Sequence, residues 1–152
     1  MNNSLNLPND WSCIIVDGDP GSGKTTLANK MAKDLEANVV SLDDYLSGNR
    51  EISYCDQINY ASLRDKIRAG GPRLIIEGVC VLKILAKMEV HHDYHIIIQR
   101  HDGFIGWTLG QYLGEKAKPP RDKLWQEIVQ YYKDYKPFDV SDLVEVRDIC
   151  QP

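Results

Sequence analysis

Short apolar runs alternate with amphipathic stretches along this chain of 152 residues. The first run, Cys13-Ile14-Ile15-Val16, is brief and β-branched, and it stops at Asp17-Gly18-Asp19-Pro20-Gly21. A short run bounded by turn residues predicts a buried strand rather than a helix. Leu27, Met31 and Leu35 then recur every fourth position beside Ala28 and Ala32, which predicts a helix with one apolar stripe. Val39-Val40 predicts a second strand that ends at Ser41-Leu42-Asp43-Asp44, and the polar stretch from Tyr45 to Gln57 reads as loop. Asn59 is placed to cap a helix carrying Tyr60, Leu63 and Ile67 on one face, stopped by Gly70-Gly71-Pro72. Leu74-Ile75-Ile76 predicts a third strand closing at Glu77-Gly78. Val81 to Met88 reads as a helix, His95-Ile96-Ile97-Ile98 as a fourth strand, and residues 104–113 as a further helix. Leu124, Ile128 and Tyr132 mark a last helix ending near Pro137, before a fifth strand at Leu143 to Val146.

Strands that are continuous apolar runs, each followed by a helical stretch, form the pattern of a parallel sheet covered on both faces. Such sheets bind ligands beyond the carboxyl ends of their strands. Asp17, Asp43, Glu77 and Gln99 all fall at predicted strand ends.

Size and composition add bounds to this picture. The length suits one domain, with residues 1–10 as a loose lead-in. A net charge of -4 argues against broad electrostatic binding to nucleic acid or an anionic membrane. No apolar run approaches the ~18 residues of a membrane span. Cys13, Cys55, Cys80 and Cys150 are widely spaced, with no C-x-x-C pair, which points to a reducing compartment and no structural zinc. A cytoplasmic location is expected by elimination. His91, His92 and His95 flank a strand start and would point different ways along it, so solvated or capping roles are expected rather than a metal cluster. Trp107, Trp125, Tyr131, Tyr132 and Tyr135 read as core and interface aromatics.

The chemistry is concentrated in Gly18-Asp19-Pro20-Gly21-Ser22-Gly23-Lys24-Thr25, which fits G-x-x-x-x-G-K-[ST] at every defined position. The motif follows a predicted strand and opens a predicted helix, the arrangement a phosphate-binding P-loop requires. Gly18, Gly21 and Gly23 let backbone N–H groups of the loop, with those of Asp19, Ser22 and Thr26, approach phosphate oxygens. The helix N-terminus adds unpaired donors and a positive dipole end. Lys24 would reach the β- and γ-phosphates, and the Thr25 hydroxyl would sit on Mg²⁺. A nucleoside triphosphate, ATP with Mg²⁺, is the expected ligand. A GTPase is disfavoured: Asn29-Lys30 is followed by Ala32 where an aspartate would read guanine, and there is no D-x-x-G.

With the P-loop, Asp43-Asp44 after the second strand and Glu77-Gly78 after the third resemble the uridine kinase and nicotinamide riboside kinase group of small P-loop kinases. The matching stretches are 18–26, 39–45 and 74–78, and more loosely 130–144, where Tyr135-Lys136-Pro137-Phe138 precedes Ser141-Asp142-Leu143-Val144. The resemblance implies an α/β P-loop NTPase fold over residues 1–152, with a five-stranded parallel sheet in the order 2-3-1-4-5. It implies an ATP-dependent phosphotransferase acting on a hydroxyl of a small molecule, such as a nucleoside or riboside. Asp43 would then be the catalytic carboxylate, with Asp44 the alternative one residue on. Glu77 would serve Mg²⁺ with Thr25, and Asp44, Tyr45, Arg50 and Asp56 would grip the acceptor. A lid-like segment would run over about residues 100–121, with Arg121 as its later catalytic arginine. The chain departs from the family here, because residues 103–114 contain no arginine and the nearby cations are Arg100, Lys116, Lys118 and Arg121. Charge stabilisation is the main task in phosphoryl transfer. That departure keeps two alternatives in play: a nucleotide-binding regulator with little turnover, and a P-loop kinase acting on a larger substrate.

Overall fold

The computed structural model describes residues 5–101 and 122–148. The helix expected over 104–113, Trp107, Arg121, Cys150 and the lid-like segment from residue 102 on lie outside the described residues, while the first two residues given to that segment, 100 and 101, belong to a strand.

Strand β1 (Cys13–Gly18) is buried along its whole length, as is β3 (Leu74–Gly78). Their neighbours are β2 (Asn38–Ser41), β4 (Tyr94–His101) and β5 (Leu143–Asp148), and the five form one sheet in the order β2-β3-β1-β4-β5. Every pairing is parallel. This is the sheet that the resemblance implied.

Side chains alternate across the sheet, and the two faces meet different helices. Ile14, Val16, Ile75, Ile96 and Ile98 pack on Leu27, Ala28 and Met31 of helix α1 (Lys24–Leu35). On the other face, Cys13, Ile15, Ile76 and Ile97 join a second cluster. It takes in Leu63 of α3 (Tyr60–Ala69), Ile84 and Leu85 of α4 (Val81–Met88), and Ile128 and Tyr131 of α5 (Lys123–Tyr135). Completely buried isoleucines on both faces explain why the central strands read as unbroken apolar runs.

The local signals work as expected at several ends. Asn59 Oδ1 accepts the Ser62 N–H and caps α3. Asp122 Oδ1 does the same for Leu124 and Trp125 at the start of α5. Pro137 ends no helix by itself; it opens the one-turn α6 (Pro137–Val140), where its missing N–H costs nothing.

Three expectations need correction. Strand β4 runs on past Gln99 to His101, because β5 pairs with it as far as Asp148. The stretch 45–57 is not all loop: it ends in the one-turn helix α2 (Tyr54–Gln57), which the isolated bridge between Leu46 and Ile58 flanks on both sides. The Ser53 side chain caps α2, and the Glu127 carboxylate on α5 accepts the N–H groups of Tyr54 and Cys55. That second cap comes from 73 residues away, beyond the reach of any local pattern. Finally, His95 is neither solvated nor a cap; it is 1% exposed, packed beside Asp17 in the centre of the sheet.

Candidate active site

The P-loop occupies the turn from β1 into α1. Gly23 holds φ +91 at the N-terminus of α1, a left-handed conformation that a Cβ-bearing residue adopts only under strain. Lys24, 7% exposed, donates from Nζ to the Asp19 carbonyl at 2.7 Å. Burial lowers its pKa, and the charges of Glu77, Asp43, Asp17 and Asp19 partly restore it. The ammonium therefore feels four carboxylates, two at strand ends, one in the loop and one on the turn after β2.

Glu77 lies at the end of β3, 1% exposed. Its Oε1 accepts hydrogen bonds from the Thr25 hydroxyl at 2.9 Å and from the Ser41 hydroxyl. Three strand-end or helix-start oxygens are thus drawn to one point beside the P-loop. A hard oxygen set of one carboxylate and hydroxyls is what Mg²⁺ takes when phosphates and water complete its shell. The residues present fit that ion. Ser41 was not among the sequence-derived candidates, and its only signal was its place one residue past Val40.

Asp43 is carried not by strand β2 itself but by the 3-10 turn Leu42–Tyr45 that follows it. Leu42 is completely buried and packs so closely on Gly78 that a Cβ there would meet Leu42 atoms at 2.7–2.9 Å. This contact fixes the turn against the end of β3 and fixes Asp43 with it. The Tyr54 hydroxyl donates to Asp43 Oδ1 at 2.7 Å. Burial, then the nearby Asp43 charge and this hydrogen bond, push the Tyr54 phenol far above its ordinary range, so it remains a donor.

Asp43 and the P-loop open onto one cavity of about 1050 Å³, lined on the loop side by Pro20, Gly21, Gly23, Lys24, Thr25 and Thr26. Its far side carries Arg50, Ile52, Tyr54 and Gln57, with Asp122, Lys123 and Leu124 from the start of α5. Of the expected acceptor residues, Arg50 lines this cavity. Asp44, Tyr45 and Asp56 are not among the lining residues, and Asp44 and Asp56 are exposed. Asp56 is directed by its place in α2, where its N–H is engaged by Ser53. Tyr54, Gln57 and Lys123 take their place, brought in by α2 and α5.

Beneath the loop is a polar layer that periodicity did not reveal. The Tyr131 hydroxyl donates to Asp17 Oδ2, and the Tyr132 hydroxyl donates to Asp19 Oδ1. The Leu82 N–H donates to the Tyr131 oxygen at 3.2 Å, and His95 Nε2 lies 3.5 Å from Asp17 Oδ2. Helix α5 is therefore tied to both ends of the turn from β1 into the loop. Burial, the Asp17 charge and the bond to it hold the Tyr131 phenol well above its usual range.

The fold is one shared with several solved kinase structures. Among solved structures, the chain is similar to a possible uridine kinase from Bacillus stearothermophilus, with 17% identity and a TM-score of 0.56 over 91% of this chain and 90% of that one. It is similar to a gluconokinase from Sinorhizobium meliloti 1021, with 13% identity and a TM-score of 0.54 over 95% and 86%. A sugar kinase from Janibacter sp. HTCC2649 matches with 18% identity and a TM-score of 0.51 over 93% and 87%. No family model matches the sequence, and no curated protein does. The likeness is one of fold: a five-stranded α/β sheet with a phosphate loop at its centre.

Proposed function

We propose that this protein is an ATP-dependent phosphotransferase that moves the γ-phosphoryl group to a hydroxyl of a small molecule, with a nucleoside or riboside as the acceptor class nearest the sequence resemblance. The observation that carries the reading is that the P-loop and Asp43 face one cavity large enough for an acceptor. The loop amides and Lys24 hold the β- and γ-phosphates. Thr25 and Glu77 would hold Mg²⁺, which when bound neutralises charge on the phosphate oxygens. Asp43 accepts the proton of the acceptor hydroxyl as its oxygen bonds to the γ-phosphorus and the bond to the β-phosphate oxygen breaks. Tyr54, donating to Oδ1, orients that carboxylate. Arg50 and Lys123 line that cavity and would meet the acceptor, and Arg121 is the candidate for the charge that develops on the transferring group. Asp44, Tyr45 and Asp56 are better suited to shaping the surrounding loop than to touching the acceptor.

The test is phosphoryl transfer from ATP·Mg²⁺ to a panel of nucleosides, ribosides and sugars, read by mass spectrometry, with wild type and Asp43→Asn side by side. The expected result is one acceptor gaining a phosphate, with the variant losing at least about a hundredfold in rate while still binding ATP. ATP hydrolysis as fast without any acceptor as with the best one would refute the reading.

A further inference from the structure

The sequence places no arginine between residues 103 and 114, yet one arginine reaches the phosphate loop from a different element. Arg147 stands on β5. Leu143, Glu145 and Arg147 pair with Ile96, Ile98 and Arg100 of β4, which puts them on the sheet face that covers α1. The Arg147 guanidinium lies against the last glycine of the loop: a Cβ on Gly23 would meet its Nη1 at 2.9 Å.

The guanidinium is held from one side only. Its Nε and Nη2 both donate to Glu145 Oε1 at 3.3 Å, a contact two residues apart along the same strand. Among the described residues Nη1 has no hydrogen-bond partner, and it is the nitrogen that faces the loop. The side chain is 30% exposed. A guanidinium at this spot sits at the positive end of the α1 dipole, which by itself is unfavourable. A polyanion bound at the loop reverses that sign. A second group nearby also lacks a partner: Ser22 Oγ, in a residue 1% exposed, makes no hydrogen bond among the described residues.

Direction along the loop selects the part of the ligand. Asp43 follows β2, on the β2–β3 side of the P-loop, and among the described residues none from β4 or β5 lines the acceptor cavity. If the terminal phosphate faces Asp43, the rest of the chain of phosphates runs the other way, toward β5. This inference therefore rests on the proposed nucleotide reading and deepens it.

We infer that Arg147, held by Glu145, is a donor-positioning residue that grips the non-transferred phosphates of the nucleotide from the β5 side. Its planar fork suits phosphate oxygens in a way a lysine does not. In this chain it supplies cationic charge from a sheet strand.

The experiment is calorimetric titration of wild type, Arg147→Gln, Arg147→Lys and Lys24→Ala with ADP·Mg²⁺ and with inorganic tripolyphosphate. Far-UV circular dichroism and a thermal melt of each variant check folding. The expected result is weakening of both ligands by roughly 10- to 100-fold in Arg147→Gln, the range for losing a hydrogen bond to a charged group. Arg147→Lys should fall between the two. If wild type and Arg147→Gln bind both ligands equally, while Lys24→Ala loses them, the role of Arg147 is overturned and the P-loop reading stands. If only ADP binding weakens in Arg147→Gln, the contact is to base or sugar and the phosphate role is overturned. If wild type binds neither ligand, the nucleotide reading itself fails and takes this inference with it.

Discussion

At the scale of single residues, the site divides into what a motif names and what only packing can supply. Gly18 to Thr25 is named in full by its spacing, because phosphate chemistry fixes residue types at fixed offsets. Asp43 was legible as an acidic residue after a strand. Its partner Tyr54 was not, because it lies eleven positions further on and no period relates the two. The Tyr54–Asp43 bond is the clearest target. Tyr54→Phe removes the hydroxyl and keeps the ring, which is 5% exposed and packed in the core. Asp43 is exposed, so water replaces part of the lost bond, and the cost should fall below the usual range for a charged hydrogen bond. The expected outcome is a fall in kcat of about three- to tenfold with ATP affinity unchanged. Steady-state kinetics on the acceptor found by the panel measures this, and an unchanged kcat would show that Tyr54 does not orient the base.

At the scale of elements, two helices and a strand start are placed by polar contacts that carry no signature in the sequence. Tyr131 and Tyr132 looked like ordinary core aromatics on the inner stripe of α5. Their rings are buried as expected, but their hydroxyls end on Asp17 and Asp19. Buried phenols need such partners, so the ring positions were legible and the partners were not. His95 follows the same logic: strand alternation turned it inward beside Asp17. The opposite end of the sheet is fastened by Asp93, whose Oδ2 accepts the N–H groups of Ser12 and Cys13 at 2.8 and 2.9 Å and the Ser12 hydroxyl at 3.1 Å. Those backbone bonds hold the Asp93 pKa below its ordinary value. A depressed carboxylate pKa stabilises the fold above the unfolded-state pKa and loses that contribution as pH falls through the folded-state value. Asp93→Asn should therefore lower stability by about 1–2 kcal/mol near pH 7. Urea melts of the two proteins should converge as pH falls below the ordinary carboxylate range. A difference that persists undiminished into acid would mean the carboxylate charge is not what fastens β1.

At the scale of the whole molecule, sheet order and helix placement were readable because the central strands are buried on both faces and every crossover carries a helix. The cavity floor was not readable, because α2 and the start of α5 enter it from positions separated by some seventy residues. The same long-range ties make the phosphate loop part of the global structure rather than a loose appendage. The loop leaves the fully buried strand β1, is bonded to α5 through Asp19 and Tyr132, and meets β5 through Arg147. A ligand that binds there only in the folded state should stabilise the molecule as one unit. At a hundredfold excess over its dissociation constant the gain is about 2.7 kcal/mol. For a domain of this size, roughly 2–4 °C per kcal/mol converts that to a rise in Tm of about 5–10 °C. Melts with ATP·Mg²⁺ at increasing concentration should show one transition moving upward, and Lys24→Ala should abolish the movement. A transition that splits, with only part of the signal shifting, would mean that the loop and α5 unfold separately from the sheet and that their ties are weaker than the contacts imply. No shift at saturating ATP would remove the nucleotide from the account altogether, because a ligand seated at the centre of this sheet cannot bind the folded state selectively without stabilising it.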